Sequence, residues 1–386
     1  MLQQSDCDFL FEIPPVRTGH VAVSYDKCVL VWGGYKENPG AQASTYYSGS
    51  EIWIYSCVSE RWYLKESLDT IHPPGMSGST AVIIDDSLYL FGGYGYRGEG
   101  CTNRLYKLEL TTFSWELLKP TGTPPIPVDK MVGWQYKNKF YVFGGFGNPE
   151  SGPPHDFQFI FYHLLWRGWT NQFFEYDPKK NKWSVPATTG TLPSARAAHA
   201  AAVAQGKVYI FGGRHDVFRL NDMHCLDMKT MEWSGKLSMK GTVPVGRSWH
   251  SLTALDDQHL VLYGGFSQNN AALNDCWLFD TFSLTWRQMI LPFDKPRLWH
   301  CACLNVFDEI LIYGGCISNI LDLERTPGQA TDIIIISISP KSLFRLCLDR
   351  ILDLPEYCKL WYTLPRHIQT ILHLRIGYIP RKFGRS

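Results

Sequence analysis

The residues with the most informative chemistry are two arginines and a serine–tryptophan pair. Arg214 directly follows two glycines, Arg219 lies five residues later, and Ser248 and Trp249 come further along the chain. The planar guanidinium group of arginine can hold a carboxylate through two parallel hydrogen bonds. A hydroxyl group can add another hydrogen bond, and a flat indole ring can form an apolar wall. These residue types are suited to binding a carboxylate.

The chain shows no arrangement typical of an enzyme. Histidine recurs at one place per repeat, as His20, His199, His250 and His300. Such repetition favours packing between repeats over a metal site. We find no nucleophile elbow of the form G-x-S-x-G, no pair of carboxylates and no clustered Tyr, His and Cys ligands for copper. We therefore expect no catalytic residue, no metal and no cofactor.

Bulk composition narrows the function classes further. The 386 residues carry a net charge of +1, so nothing draws the whole chain toward nucleic acid or an anionic membrane. Eleven cysteines without a C-x-x-C pair argue against a disulfide framework and favour a reducing intracellular compartment, nuclear or cytoplasmic. No signal peptide or run of about 18 apolar residues is visible, so we expect no membrane span.

An internal repeat positions the candidate residues. A double glycine preceded by an apolar strand recurs six times, and its second members are Gly34, Gly93, Gly145, Gly213, Gly265 and Gly315. The intervals are 59, 52, 68, 52 and 50 residues, which match the kelch period of about 50. In five units a tryptophan follows on a later strand: Trp62, Trp115, Trp183, Trp233 and Trp286. Each unit therefore indicates four short antiparallel strands, which form one propeller blade.

The repeat resembles the kelch family and predicts an all-β, six-bladed kelch propeller over residues 1–340, followed by a short α-helical tail over 341–386. The paired glycines stand where a Cβ would be in the way, and the tryptophans fill the space between sheets. We assign a structural role to the arginines that precede the inner strands: Arg17, Arg196, Arg247 and Arg297. The sixth unit lacks its outer strand, and we expect the N-terminal segment CDFLFEIP to complete it and close the ring.

The third unit carries an insertion. Trp183 lies 38 positions after Gly145, whereas the corresponding distances in the next two units are 20 and 21 positions. The excess, residues 147–169, is rich in aromatic side chains. In kelch folds this loop lies on the rim of the central pocket, so we expect a lid or part of the binding wall. Packing against the neighbouring blade is the alternative.

The tail shows helical spacing of apolar residues after Pro340, with Ser342 as a suitable N-cap and a second helix from Leu364-Pro365. The propeller could cover these apolar faces. Alternatively, Leu343, Cys347 and Ile351 resemble the BC box that docks on Elongin C. Downstream, Leu364, Pro365 and Ile368 resemble the cullin-2 box.

The propeller and the tail together resemble the cullin-2 substrate receptors of the kelch-domain-containing protein one and two family. The resemblance extends along nearly the whole chain and shows in VWGGYKEN, MSGS, YKNKF, FGGR, GRSWHSL and PRLWH. It implies a non-catalytic subunit of an E3 ubiquitin ligase that binds Elongin B, Elongin C and cullin-2 through its tail. The propeller would hold substrate proteins by C-terminal degrons, often with a diglycine end. The alternative function is a kelch scaffold unrelated to ubiquitination.

The resemblance also implies the degron-binding residues. The terminal carboxylate and the cleft wall fall to Arg214, Arg219, Ser248 and Trp249, and further candidates are Trp169, Lys130, Trp299 and Tyr35. Phe146 departs from the family, which has tyrosine there, and the lost hydroxyl removes a hydrogen bond worth ~0.5–1.5 kcal/mol. We expect this change and the segment 215–218 to alter degron preference.

Overall fold

The computed structural model describes residues 13–38, 43–95, 99–148, 157–162, 167–322, 324–338 and 340–376. Within them, six antiparallel sheets are arranged around a central axis. The first strand of each sheet lies beside the first strand of the next, and that of the sixth sheet lies beside that of the first. The predicted six-bladed propeller is therefore confirmed.

The strands of a blade are named A to D from the axis outward. Blade one has Val21–Tyr25, Cys28–Trp32, Glu51–Ser56 and Arg61–Glu66, and blade two has Thr80–Ile84, Ser87–Phe91, Leu105–Glu109 and Ser114–Leu117. Blade three has Val132–Tyr136, Lys139–Phe143, Phe173–Asp177 and Lys182–Ser184, and blade four has Ala200–Ala204, Lys207–Phe211, Met223–Asp227 and Glu232–Lys236. Blade five has Ser251–Ala254, His259–Ser267, Ala272–Asp280 and Thr285–Met289, and blade six has Cys301–Leu304, Glu309–Tyr313 and Ile334–Ser337.

Shorter strands extend the blades at both edges. Thr189–Thr191 and Lys240–Gly241 run parallel to the D strands of blades four and five. On the face of the propeller where the A strands begin, short pairings lie before the A strands and between the B and C strands. They comprise Tyr35–Lys36, Thr45–Tyr46, Met76–Ser77, Tyr94–Gly95, Gly100–Cys101, Val128–Asp129, Phe146–Gly147, Phe159–Tyr162, Arg167–Thr170, Arg214–His215, Phe218–Arg219 and Arg247–Ser248. These pairings form the face that carries the candidate site.

The double glycines allow each blade to pack closely on the next. A Cβ added to Gly144 would lie 2.7 Å from Cε1 of His199, and one added to Gly213 would lie 2.7 Å from Cβ of the same histidine. Both glycines also have positive φ, of 73° and 97°. His199 thus lies between the first glycine of blade three and the second glycine of blade four, edge-on to Phe143 at 5.6 Å. The histidines of the other units pack in the same way, as predicted.

The D-strand tryptophans fill the space between neighbouring blades. Trp233 of blade four packs on Phe143 of blade three, with ring centroids 5.5 Å apart. Trp62 of blade one packs on Tyr313 of blade six at 4.8 Å. In each case the partner is the aromatic residue directly before the double glycine of the preceding blade. The predicted role of these tryptophans is confirmed.

The arginines before the A strands are buried and stabilise loops. Arg196 donates to the carbonyl of Gly212 at 3.0 Å and forms two hydrogen bonds to Asp222, of 2.8 and 2.9 Å. Arg247 binds Gly264 and Asp275 in the same manner. These contacts agree with the structural role expected from the sequence.

The seam between blades six and one is held by residues near the start of the described chain. The amide of Gly315 donates to the carbonyl of Arg17 at 2.9 Å, and the Ser24 hydroxyl donates to the carbonyl of Leu304 at 2.6 Å. Blade six has three strands within the described residues. The segment CDFLFEIP, expected to supply the fourth, lies almost wholly outside them.

A ring of six backbone hydrogen bonds surrounds the axis. In each unit, the residue two positions before the A strand donates its amide to the equivalent carbonyl of the preceding unit, at 2.7 to 3.3 Å. The six residues are Gly19, Gly78, Lys130, Ala198, Trp249 and Trp299, and all have positive φ. The last bond runs from Gly19 to Trp299, so the ring is closed.

The tail contains helix α1 (Leu343–Leu352), a 3₁₀ helix (Pro355–Thr363) and helix α2 (Arg366–Ile376). Ser342 caps α1 as predicted, because its hydroxyl accepts a hydrogen bond from the Arg345 amide. The tail has a small core of its own. None of the helices described is both long enough and apolar enough to cross a membrane.

The buried histidines should make the propeller sensitive to acid. Burial lowers the pKa of His199 and of His300 to about 3, from 6.5. Below about pH 6.5 these two histidines are therefore protonated in the unfolded chain but stay neutral in the folded chain. The contribution of these histidines to the unfolding free energy should be constant above that pH and fall as the pH drops toward 3, by about 1.4 kcal/mol per pH unit for each histidine. Denaturant unfolding at several pH values measures this slope.

Replacing one buried histidine tests the cause. His199→Gln should reduce the slope by one histidine's share, although the variant is less stable at neutral pH. The matched control is His72→Gln, at a position that is only partly buried, and this change should leave the slope as it is. An unaltered slope in the His199 variant would contradict this explanation.

Candidate functional site

A cavity of about 410 Å³ opens on the face built by the short strands. Eight predicted residues line it: Tyr35, Lys130, Phe146, Trp169, Arg214, Ser248, Trp249 and Trp299. Arg219 does not line the cavity and lies directly behind Ser248. These side chains come from the units of blades one, three, four, five and six, and they surround the propeller axis. Lys130 belongs to the unit of blade three.

The floor of the cavity comes from the hydrogen-bonded ring. Trp249 and Trp299 are neighbours in that ring, and their indole rings stack with centroids 5.2 Å apart and an angle of 21°. Lys130 stands opposite Trp299, and its ammonium group lies 5.2 Å from the centre of that ring. Tyr35 meets the edge of the same indole at 5.8 Å. The floor is therefore flat and aromatic, with one cation across it.

The blade-four side of the cavity carries two arginines. Arg214 and Arg219 face each other in the two-stranded pairing that follows the fourth double glycine. Burial, followed by the nearby charge of Arg214, lowers the pKa of Arg219 to about 10. Arg219 is still charged at neutral pH. Two like charges are thus held side by side, an arrangement that a bound anion would stabilise.

Neighbouring groups fix both guanidinium groups. The Arg219 Nε donates to the Ser248 hydroxyl at 3.3 Å, and the group lies 4.5 Å from the centre of the Phe266 ring. The Arg214 Nε donates to the carbonyl of Asp216 at 2.7 Å. A contact from blade five steadies the hairpin, because the Gln268 side chain accepts from the Arg219 amide at 2.8 Å. The cations are therefore held in place without a ligand.

The adjoining wall comes from blade three and its insertion. Phe146 and Trp169 pack at 4.9 Å, and the Arg167 guanidinium lies 4.6 Å from the centre of the Phe146 ring. Arg167 also binds Asp129 at 2.9 Å, and Lys130 binds the other oxygen of this carboxylate. Asp129 is almost fully buried. It therefore neutralises one of these two cations.

Sequence analysis missed Arg167 and Asp129. Arg167 lies two residues before Trp169 on one short strand, so both side chains lie on the same face. The spacing of two residues from the predicted wall residue Trp169 therefore indicated Arg167 as a further pocket residue. Asp129 precedes Lys130, as Ser248 precedes Trp249, so its position in the repeat was a signal as well.

The described part of the insertion forms a wall and also packs inward. Phe159–Tyr162 pairs with Arg167–Thr170, which places the edge of Tyr162 on Trp169 at 5.9 Å. Phe159 packs against the core between blades two and three. Both alternatives from the sequence thus apply. Residues 149–156 and 163–166 of the insertion lie outside the described part of the chain.

The tail separates the residues that sequence spacing had grouped together. Leu343 is 77% exposed and Cys347 is also exposed, whereas Ile351 packs against the tail core. Leu364 and Ile368 pack against this core too, and Pro365 is exposed. The outer face of α1 instead shows Leu346, which is 50% exposed.

Ion pairs fasten the tail to blade one. Two nearly buried arginines, Arg345 and Arg375, reach the turn between the C and D strands. Both approach the Glu60 carboxylate, and the Arg375 Nε donates to the carbonyl of Val58 at 2.9 Å. In return, Arg61 of blade one donates to carbonyls at the end of α2. Hydrogen bonds thus run in both directions across this contact.

The same contact reaches blade six. The Arg345 guanidinium lies 5.2 Å from the centre of the Phe307 ring, in the turn between the A and B strands of that blade. Asp349 of α1 binds Arg375 at 3.1 Å and Lys341 at 2.8 Å. The tail therefore packs across the seam where the propeller closes.

Comparisons with known proteins agree with this architecture. A family model described as the KLHDC2/KLHL20/DRC7 Kelch-repeats domain matches residues 19–265. Kelch domain-containing protein 2 of Bos taurus is 40% identical over 376 residues, which cover 94% of this chain and 91% of that protein. The chain belongs to the kelch-repeat family. Kelch domain-containing protein 1 of Mus musculus is 39% identical over 352 residues, covering 88% of this kelch chain and 84% of the mouse protein.

A solved structure supports the same fold. The structure of YjhT matches this kelch protein with a TM-score of 0.63 and 18% sequence identity, and covers 85% of this chain and 96% of that one. At this identity the match speaks to the propeller fold alone.

Removing the charge of Glu60 should loosen the tail. Glu60→Gln removes one of the two carboxylates that pair with Arg345 and Arg375 and leaves Asp349 as the other; weakening the pairing of a buried charge is costly. Because Glu60 is partly exposed, we expect a loss of about 1–2 kcal/mol. Hydrogen exchange in α1 and α2 should become faster, while exchange in blades two to five stays unchanged. Glu66→Gln, at an exposed site in the same blade, is the control. Equal exchange in both variants would contradict the role of Glu60.

Proposed function

We propose that this kelch protein is a substrate-recognition subunit of a cullin-2 RING E3 ubiquitin ligase in the nucleus or cytoplasm. Residues 1–340 hold C-terminal degrons of the diglycine type, and residues 341–386 bind Elongin B and C and cullin-2. The protein itself performs no catalysis, and its contribution is to bring the client close to the ubiquitin-transferring subunits. The observation that carries this proposal is the pair of arginines on blade four.

The charges of the pocket support capture of a carboxylate. Lys130 and Arg167 share Asp129, so that group of three has one net positive charge. Arg214 and Arg219 bind only a carbonyl and a hydroxyl, and the described residues show no ion pair from either to a carboxylate. A client carboxylate would accept hydrogen bonds from Arg214, which lines the cavity, and would reduce the repulsion between Arg214 and Arg219.

The shape of the pocket supports a terminus of small residues. The stacked indoles of Trp249 and Trp299 and the rings of Phe146 and Trp169 give flat walls. A backbone without side chains can lie directly on such rings. The Ser248 hydroxyl, which accepts a hydrogen bond from Arg219, would donate to the last peptide unit. Phe146 contributes a ring but no hydroxyl, so the peptide must obtain that hydrogen bond elsewhere.

The tail supports docking of a partner. Leu343 and Leu346 of α1 are 77% and 50% exposed, and Cys347 lies between them and the helix end. Apolar side chains on one helix face are typical of a helix that nests in a groove of another protein. Elongin C is the partner that the BC-box resemblance suggests. Leu364, Pro365 and Ile368 would serve cullin-2, with Pro365 as their exposed member.

Peptides with free and blocked C-termini test the pocket. A peptide ending in two glycines should bind, and its C-terminal amide should bind at least about tenfold more weakly, because it loses charged hydrogen bonds worth about 1.5–3 kcal/mol. Calorimetric titration measures both affinities. Arg214→Ala should remove most of the difference, whereas Arg104→Ala, at an exposed position outside the pocket, should keep it. Equal affinity of acid and amide would rule out carboxylate capture.

Co-purification tests the tail and separates this function from a scaffold. Elongin B and C should travel with the intact chain and be lost in the double variant Leu343→Ala/Cys347→Ala. The control is Ile290→Ala, which removes an apolar side chain of the propeller that is 99% exposed. A kelch scaffold unrelated to ubiquitination would make no use of Leu343 and Cys347. Elongin retained by the double variant would therefore contradict the BC-box assignment.

A further inference from the structure

The mouth of the pocket is electrically asymmetric. Arg214 and Arg219 lie on blade four, and Glu37 lines the cavity from blade one. In a ring of six blades, blade one stands opposite blade four. Tyr35 and Glu37 are two residues apart in an extended segment, so both side chains face the cavity. A bound chain therefore meets positive charge on one side and a carboxylate on the other.

Contacts with blade six fix the position of Glu37. Its amide donates to the Gln329 side chain at 2.9 Å, and Gln329 in turn donates to the Thr18 hydroxyl at 2.7 Å. The Ser44 hydroxyl donates to one carboxylate oxygen of Glu37 at 2.8 Å. A carboxylate can accept about four hydrogen bonds. Glu37 is thus held at the rim with acceptor capacity to spare.

The two carboxylates of the pocket differ in what they can bind. Asp129 is buried and already paired with Lys130 and Arg167. Glu37 is half-buried, and in the described part of the chain no lysine or arginine forms an ion pair with it. Leu321, 44% exposed, lines the same cavity from blade six. A lysine or arginine could lay its aliphatic stem along such an apolar surface while its charged end reaches a carboxylate.

We propose that Glu37 selects clients with a basic side chain a few residues before the C-terminus. The inference rests on the proposed function, because the client carboxylate must first be fixed at blade four. From there an extended chain advances about 3.3 Å per residue and leaves the pocket across its mouth. A lysine or arginine that reaches blade one pairs with Glu37. An acidic residue at the same position meets like charge.

A set of peptides tests this selection. Ten-residue peptides of glycine and serine, ending in two glycines, carry one lysine, glutamine or glutamate at the third, fourth, fifth or sixth position from the C-terminus. At one position lysine should bind about two- to fivefold more tightly than glutamine, as expected for a partly exposed ion pair. Glutamate should bind more weakly than glutamine by a similar factor. Calorimetric titration with the full chain measures the affinities.

The variant Glu37→Gln identifies the group responsible. It should abolish the preference at that position and leave the affinity for the glutamine peptides within about twofold. Glu66→Gln, outside the pocket, should keep the preference. Equal lysine-to-glutamate ratios in the wild type and in Glu37→Gln would overturn the role of Glu37 while carboxylate capture stands. No binding of any free-acid peptide, or equal binding of acids and amides, would overturn both proposals.

Discussion

The closed ring of six backbone hydrogen bonds is the constraint on which the rest of the structure depends. Each member adopts positive φ, which costs a residue with a side chain about 1–2 kcal/mol. Four of the six positions hold such residues, and the hydrogen bonds of the ring offset the strain. Because one residue per blade must meet its neighbours in this way, six equivalent positions, four of which carry a side chain, lie at the base of one cavity. The chemistry of that base is decided by which residues occupy these positions.

The distribution of charge then divides the cavity into two parts that differ in their capacity to bind a charged ligand. Beside the ring, the buried carboxylate of Asp129 binds two cations, Lys130 and Arg167, and holds them in place. On blade four a hairpin register brings Arg214 and Arg219 face to face without such a partner. Burial in the first place, and the charge of Arg214 in the second, lower the pKa of Arg219, so the charged form of this side chain is disfavoured here. A bound anion would relieve this unfavourable energy, which is the physical basis of the proposed carboxylate capture.

The repeat made the propeller predictable, because glycines, tryptophans and histidines recur for a packing reason that every blade shares. The same register points to Lys130, Trp249 and Trp299, which occupy equivalent places in their units. Arg167 was harder to predict, since it lies in an insertion with no counterpart in other blades. In the tail, helical spacing predicted both helices but merged two faces. Ile351 packs against the tail core, to which the 3₁₀ helix between the two helices contributes, whereas Leu343 is exposed. Helical spacing alone does not distinguish these two positions.

The attachment of the tail links the two ends of the proposed function. Arg345 and Arg375 are anchored on blade one and beside blade six, and these blades also provide Glu37 and Leu321 at the pocket rim. A partner bound to α1 would therefore be held by the same blades that contact the upstream part of a client. The outer face of α1 is free only because its inner face, through Arg345, is committed to the propeller. Under the proposed function, a helix fixed in this way would give a docked ligase a defined direction relative to the pocket, which transfer of ubiquitin to a bound client would require.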